Sequence, residues 1–366
     1  MTIQGKRPKI ALIGYRLSGG GGDRVMANLS LFFDAQGFEV HNIIVIDEVT
    51  FPYVGKLLNL GLLKDQSNGF LNKWKRLKAI KDYLDHNQFD YIIDFRFRVK
   101  PIQELLLARW VYKTKTIFTV HSFLIDHYMP NNSWFTRLMY GSSLANVAIT
   151  NQIKELIEQK HKLKNVLTIY NPIPIEEIQQ KASEEITIDN QYIVAVGQFE
   201  TRIKQFDVLI DCYSKSVLPN KNIHLIIIGD GDLKPKLLQQ VKELQLTDFV
   251  NLIGYESNPF KYLKNAKFTV LSSANEGLPM VLLESLACGT PVVAFDCDSG
   301  PREIIADKVN GLLVENQNKE KLTEAMDLMV TDEKLYVNCK QNALGSIRKF
   351  SLESIGRQWL DLMNIK

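Results

Sequence analysis

Short runs of β-branched and apolar residues alternate along the chain with segments whose apolar positions recur at helical spacing, and the alternation comes in two series. In the first half the strand candidates are KIALIGY (9–15), HNIIVI (41–46), YIIDF (91–95), KTIFTVH (115–121), ANVAIT (145–150) and VLTIY (166–170). In the second they are YIVAVG (192–197), HLIIIGD (224–230), VNLIGY (250–255), FTVLSS (268–273), PVVAF (291–295) and GLLV (311–314). Apolar strands alternating with amphipathic helices predict parallel sheets covered by helices on both faces. The pattern therefore predicts an α/β chain of two doubly wound, Rossmann-like domains, residues 1–170 and 191–349. Between them NPIPIEEIQQKASEEITIDN (171–190) has two prolines, a clump of acids and no apolar period, and reads as a linker with at most one helical turn. The stretch SLESIGRQWLDLM (351–363) opens on a Ser N-cap with Glu two residues on, and carries Ile355, Trp359, Leu360 and Met363 at helical spacing, which predicts a terminal helix within 350–366.

Composition changes the picture by exclusion. The chain has 366 residues, 45% hydrophobic and 23% charged, enough to bury two sizeable cores. No stretch approaches the roughly 18 apolar residues of a membrane span, and the opening MTIQGKRPKI has no apolar region after its charges, so a cytoplasmic location is expected. Cys212, Cys288, Cys297 and Cys339 form no CxxC pair or metal-ligand spacing, which argues against a disulfide framework or a zinc site. A net charge of +3 is too slight to imply a nucleic-acid partner.

Two doubly wound domains are expected to bring the carboxyl ends of their sheets to a shared cleft, where ligands bind. In the first domain, KIALIGY runs into a glycine-rich loop, Gly19, Gly20, Gly21 and Gly22, followed by Asp23 and a helix that buries Val25, Leu29, Phe32 and Phe33. Such a loop lets backbone amides approach an anion or a sugar, although a plain flexible turn accounts for it equally well. In the second, Arg202 and Lys204 lie in the loop after YIVAVG, where the plainer reading is a solvated surface pair. The stretch SSANEGLPMVLLESLACGTPVV (272–293) begins at the end of another strand and presents Gly277, Leu278, Pro279, Met280 and Val281 at a helix N-terminus. Two cations and a helix N-terminus in one crevice specify a diphosphate site. Its two carboxylates, Glu276 and Glu284, stand eight positions apart, the second inside an apolar run, about two helical turns beyond the first. Ionised carboxylates there need hydrogen-bond donors, and the hydroxyls of a ribose and a hexose would supply them. The competing reading makes Glu276 a loop residue and Glu284 a partly exposed helix residue.

The Glu276 to Glu284 pair, the spacing of Gly197 to Lys204, the glycine-rich loop with Asp23 and Arg24, and CDSGPREII (297–305) resemble the retaining family 4 glycosyltransferases of the GT-B architecture over nearly the whole chain. The resemblance implies that Glu276 contacts the donor sugar, Glu284 the ribose of the nucleotide, and Lys204 with Arg202 the diphosphate. Gly197, Gln198, Gly229 and Tyr255 join the implied donor site, and His121 matches a position near the donor hexose. Gln198 stands where many members carry Arg, which leaves Arg202 as the substitute cation. The resemblance further implies that the helix at 350–366 packs back on the first domain. It implies a retaining transfer with no cofactor and no bound metal, the cations replacing one. The donor would be a nucleotide sugar, UDP-linked, and the acceptor a glycan or lipid-linked glycan in surface polysaccharide assembly such as lipopolysaccharide or capsule.

The segment LNKWKRLKAIKDYL (71–84), with Lys73, Lys75, Arg76 and Lys78 around Trp74, and the second basic cluster RFRVK (96–100) add an expectation of peripheral contact with an anionic membrane at the inner face of the cytoplasmic membrane. The alternative is a helix packed on the sheet through Leu77, Ile80 and Leu84 with a solvated basic face. Three rival functions compete with this reading. A nicotinamide-dependent dehydrogenase would use the glycine loop and Asp47 but lacks GxGxxG and leaves Lys204 and both Glu residues idle. A GT-B-fold epimerase acting on UDP-N-acetylglucosamine and a non-catalytic nucleotide-sugar binding module share the architecture.

Overall fold

The computed structural model describes residues 7–65 and 69–365; residues 1–6, on which the reading of the opening segment partly rests, lie outside them. The chain divides into two compact units, Met1–Pro172 with Leu352–Lys366, and Ile173–Ser351. The first unit runs β1 (Lys9–Gly14), α1 (Gly21–Ala35), β2 (Glu39–Ile44), β3 (Lys56–Asn59), α2 (Phe70–Asn87), β4 (Tyr91–Asp94), α3 (Pro101–Leu106), β5 (Lys115–Val120), α4 (Ser133–Tyr140), β6 (Ala145–Ala148), α5 (Asn151–His161) and β7 (Val166–Thr168). The second runs α6 (Ile175–Ala182), β8 (Tyr192–Val196), α7 (Phe206–Lys215), β9 (His224–Ile228), α8 (Lys234–Glu243), β10 (Val250–Gly254), α9 (Phe260–Asn265), β11 (Thr269–Leu271), α10 (Met280–Ala287), β12 (Val292–Phe295), α11 (Pro301–Ile304), β13 (Gly311–Val314), α12 (Lys319–Thr331) and α13 (Glu333–Ser346), before α14 (Leu352–Leu362) returns to the first.

The sheets are parallel, seven-stranded in the order β3-β2-β1-β4-β5-β6-β7 and six-stranded in the order β10-β9-β8-β11-β12-β13. Central strands such as HLIII are buried along their whole length, because helices cover both faces of a parallel sheet. Each sheet reverses its winding once, between β1 and β4 and between β8 and β11, and these two positions are where a doubly wound sheet opens a crevice at its carboxyl edge.

All twelve strands expected from the pattern are present. A thirteenth, β3, was not expected; it is a partly exposed edge strand, KLLN, too short to show a period. The stretch read as a linker is a second correction. Residues 175–182 form α6, which buries Ile175, Ile178 and Ala182, and its Gln179 side chain donates to the Ala287 carbonyl at 3.4 Å. The period was there, at i, i+3 and i+7, beneath the acids that occupy the exposed face.

In the first unit's core, α14 contributes Ile355 and Trp359, and Met363 joins them just past its end. Gly356 lies against α1 so closely that a Cβ would stand 2.3 Å from the Phe32 ring, and the Tyr91 hydroxyl donates to the Met363 carbonyl at 2.7 Å. Among the described residues no helix is long and apolar enough to cross a membrane.

Candidate active site

At the reversal of the second sheet, the chain leaves β8 through residues 197–205 and β11 through residues 272–279. Lys204 closes the first loop in a single 3-10 turn, Arg202–Lys204, ahead of α7. A Cβ on Gly197 would stand 3.2 Å from Lys204 Cγ and 3.3 Å from Cε, so the missing side chain is what lets the lysine stem lie across the strand end. That contact gives the Gly197 to Lys204 spacing its physical content. Two bonds stitch the loops together: Ser272 Oγ donates to the Lys204 carbonyl at 2.8 Å, and the Ala274 amide donates to the Ile203 carbonyl at 2.8 Å.

Lys204 Nζ donates to Glu276 Oε1 at 2.7 Å, and Ser273 Oγ donates to the same oxygen at 2.6 Å. The carboxylate is thus held by a cation and a hydroxyl from the two loops that meet at the reversal. The CDSGPREII segment braces it from behind. The Glu276 amide donates to the Asp298 carbonyl at 3.2 Å and Ser299 Oγ donates to the Gly277 carbonyl at 2.9 Å. Gly300 has φ +99° and would place a Cβ 2.4 Å from Pro279, so only glycine fits.

Immediately after this loop α10 begins at Met280, with Pro279 as an N-cap that has no side-chain hydrogen bond to offer. The helix therefore presents the amides and positive dipole end that attract anions beside a lysine. Glu284 is half-buried one turn into α10 between fully buried neighbours. Only the last part of the eight-residue gap is helical, so a loop and one turn separate the carboxylates, not two turns. Arg202 and Gln198 are exposed, and Arg202 has no ion pair among the described residues. Gly229 follows β9, and Tyr255 follows the edge strand β10 and is 81% exposed. Leu278, Pro279 and Val281 are buried, Gly277 and Met280 half-buried.

In the first unit the glycine-rich loop leaves β1 and enters α1 at Gly21. Asp23 turns back on its own helix, its Oδ2 accepting from the Gly20 amide at 3.3 Å and from Arg16 Nε at 3.4 Å; burial pushes its carboxyl up to about 6 against both. His121, just beyond β5, lies beside this loop, with Cγ 3.6 Å from where a Cβ on Gly22 would be. Its Nε2 is 2.9 Å from Thr119 Oγ1, which donates its proton to the Asp94 carbonyl at 3.1 Å. A carbonyl only accepts, so the threonine offers a lone pair to the ring, Nε2 carries the proton and Nδ1 is the acceptor. Burial, with Arg98 nearby, drives the imidazole from 6.5 down to about 3, and it stays neutral at physiological pH.

Two family models together match most of the chain. A family model described as Glycosyl transferases group 1 matches residues 176–345, and one described as Glycosyltransferase Family 4 matches residues 19–177. The Campylobacter jejuni N-acetylgalactosamine-N,N'-diacetylbacillosaminyl-diphospho-undecaprenol 4-alpha-N-acetylgalactosaminyltransferase is 30% identical over 96% of this chain and 98% of its own. The chain belongs to the group 1 glycosyl transferases. The amylovoran biosynthesis glycosyltransferase AmsD of Erwinia amylovora is 25% identical over 94% of this chain and 96% of its own. In fold, this glycosyltransferase resembles the Anabaena protein Alr3699/HepE, solved in complex with UDP, with a TM-score of 0.78 at 16% identity over 97% and 99% of the two chains. The lipopolysaccharide outer core galactosyltransferase WaaB matches with a TM-score of 0.74 at 23% identity over 97% and 99%. The fold is the GT-B type.

The structure of the glycosyltransferase overturns one reading of its charge. RFRVK is not a basic surface cluster, because Arg96 and Arg98 are buried. Arg96 donates to Asp94 Oδ2 at 2.7 Å and Glu104 Oε2 at 2.9 Å, and Arg98 donates to the carbonyls of Tyr128, Arg96 and Thr119 at 2.9–3.0 Å. Two supporting residues of the candidate site were missed, Ser273 and Thr119. The signal for Thr119 was its position two residues before His121 on one strand, hence on the same face; for Ser273, a hydroxyl three residues before a loop carboxylate. The cysteines carry no chemistry here, since burial pushes the Cys288 and Cys297 thiols up to about 12. Among the described residues no group of three or more His, Cys, Asp or Glu side chains is placed to hold a metal ion.

Proposed function

We propose that this chain transfers a hexose or N-acetylhexosamine from a UDP-sugar to a lipid-linked glycan, with retention of the anomeric configuration, in surface polysaccharide assembly. The observation that carries the reading is the Lys204–Glu276 pair at the sheet reversal beside the N-terminus of α10. A diphosphate takes the lysine, Arg202 and the helix amides, and the departing charge is stabilised by cations already in the protein, so no divalent ion is required. Glu276, released from the lysine, accepts a hydroxyl of the transferred sugar, and Glu284 the ribose. Neutral His121, next to the glycine-rich loop, is the first unit's candidate for a contact to the sugar. The acceptor oxygen arrives on the face the diphosphate leaves, and a phosphate oxygen takes its proton. The C. jejuni relative, whose name gives it a diphospho-undecaprenol-linked substrate, supports a lipid-linked acceptor.

Incubation with a panel of nucleotide sugars and lipid-linked glycans, followed by mass spectrometry and NMR of the new linkage, tests this. UDP released only with acceptor, an axial or equatorial linkage matching that of the donor, and undiminished rate in EDTA are the expected results. Interconversion of the donor sugar without acceptor would make the protein an epimerase, and binding without turnover a non-catalytic module.

A further inference from the structure

Phe97 stands out by its place in the first unit. Single exposed apolar residues are ordinary on a protein surface, and Trp74 and Trp134 are exposed on the helices α2 and α4. Phe97 is 44% exposed between two buried arginines, just past the carboxyl end of β4, where the sheet reverses its winding. Its ring packs against Tyr128 at 4.9 Å between centroids and against Tyr15 at 5.9 Å, with His127 perpendicular to it at 6.0 Å. Tyr128 in turn lies 6.4 Å from His121, so a single ring separates Phe97 from the imidazole beside the glycine-rich loop.

The backbone that carries this ring is firmly held. The Tyr15 hydroxyl donates to the Phe97 carbonyl at 3.0 Å, the Arg96 amide donates to Asp94 Oδ1 at 3.0 Å, and the Arg98 amide donates to the His127 carbonyl at 2.6 Å. The two buried guanidinium groups fix residues 96 and 98 to the core, and the side chain between them is left facing water. An aromatic face already held in place loses little conformational entropy when a ligand covers it. Polar groups stand at its edge. Tyr15 donates its proton to the Phe97 carbonyl and keeps its lone pairs, and exposed His127 brings its ring nitrogens. A fixed aromatic face with hydrogen-bonding groups at its rim matches a pyranose ring, which has an apolar C–H face and hydroxyls around its edge.

We propose that Phe97 is the stacking platform for a sugar ring of the acceptor, with Tyr15 and His127 hydrogen-bonding its hydroxyls. The second unit carries the cation, carboxylates and helix amides read as donor contacts, which leaves the acceptor saccharide for this ring. The assignment rests on the glycan acceptor proposed above and names the residues that read its sugar. It also gives the buried arginines a task beyond stability, since they hold the platform rigid.

Saturation-transfer NMR on the full chain, irradiating aromatic protons in the presence of methyl α-D-galactopyranoside, methyl α-D-glucopyranoside or glycerol, tests the platform without turnover. The ring C–H protons of at least one glycoside should take up saturation, and glycerol should not. Phe97→Leu, which keeps apolar bulk against Tyr128, and Phe97→Ala should both lose that signal, and Phe97→Trp should keep it. With the lipid-linked glycan that proves active, both truncations should raise the acceptor KM about 5- to 30-fold, the worth of one stacked ring, and leave UDP affinity by calorimetry unchanged. No saturation of either glycoside in the wild type, an undiminished signal or acceptor KM in Phe97→Leu, or an equal loss of UDP affinity would overturn the proposal. Glycoside saturation that depends on Phe97, without sugar transfer to any acceptor, removes the proposed activity and leaves a saccharide-binding ring, whereas transfer with an unchanged acceptor KM in Phe97→Leu removes the platform and leaves the activity.

Discussion

The loops that follow β4 and β11 occupy equivalent places, each next to the reversal of its sheet, yet they use charge in opposite ways. After β11, Glu276 meets Lys204 at 2.7 Å in loops that stay partly open to water, with the lysine side chain 26% exposed. After β4, Arg96 and Arg98 are sealed in, one by Asp94 and Glu104, the other by backbone carbonyls and by the Phe118, Tyr128 and Tyr140 rings at 5.2–5.5 Å. The first pair can exchange partners with a ligand; the second set cannot without leaving buried charge unpaired. The same topology thus yields a polar cradle in one unit and, in the other, a rigid charged core beneath an exposed aromatic ring.

The sharpest break of this contrast is Arg96→Met. It leaves Asp94 and Glu104 buried without their cation, and should cost about 3–5 kcal/mol, read as a shifted urea midpoint or as insoluble protein. Lys204→Ala should do the reverse, lowering turnover by about 10²- to 10³-fold with stability within about 0.5 kcal/mol of wild type. If Lys204→Ala unfolds the chain, or Arg96→Met leaves it as stable as before, the division between a working pair and a structural one is wrong.

How much of this division the sequence carried depends on the distance between partners. The strands were readable because each is a continuous apolar run, and the loop of Glu276 because glycine, proline and carboxylate sit together in it. Lys204 and Glu276 were each recognisable, but their pairing joins loops 72 residues apart and depends on two parallel strands lying side by side. Arg96 and Arg98 were misread because a run of basic residues looks the same whether it faces water or carbonyls. Their partners Asp94 and Glu104 stood two and eight residues away, and only the fold turns them inward. In α6 the acids of the exposed face hid a period that burial makes plain.

A finer test concerns the hydroxyl that sets His121. Thr119→Val should release the tautomer, seen as a mixed population in ¹⁵N shifts of the ring, and should reduce turnover about 2- to 10-fold, the worth of one net hydrogen bond. The buried ring also ties stability to pH. Because its folded value is about 3 against 6.5 when unfolded, the unfolded chain takes up the proton first, and stability drains away as pH falls from about 6.5 toward 3. His121→Asn should flatten that part of the stability curve; an unchanged acid slope would mean the ring is not held neutral.

The most direct measurement is calorimetric titration of UDP and of the active UDP-sugar into Glu276→Gln, with Glu284→Gln alongside. Removing the charge of Glu276 frees Lys204 from its 2.7 Å partner, so UDP should bind as tightly as to wild type or more so, while UDP-sugar affinity or turnover falls about 10- to 100-fold. Glu284→Gln should weaken both ligands, its partner being the ribose. Equal losses for UDP and UDP-sugar in Glu276→Gln would contradict the assignment of this carboxylate to the transferred sugar.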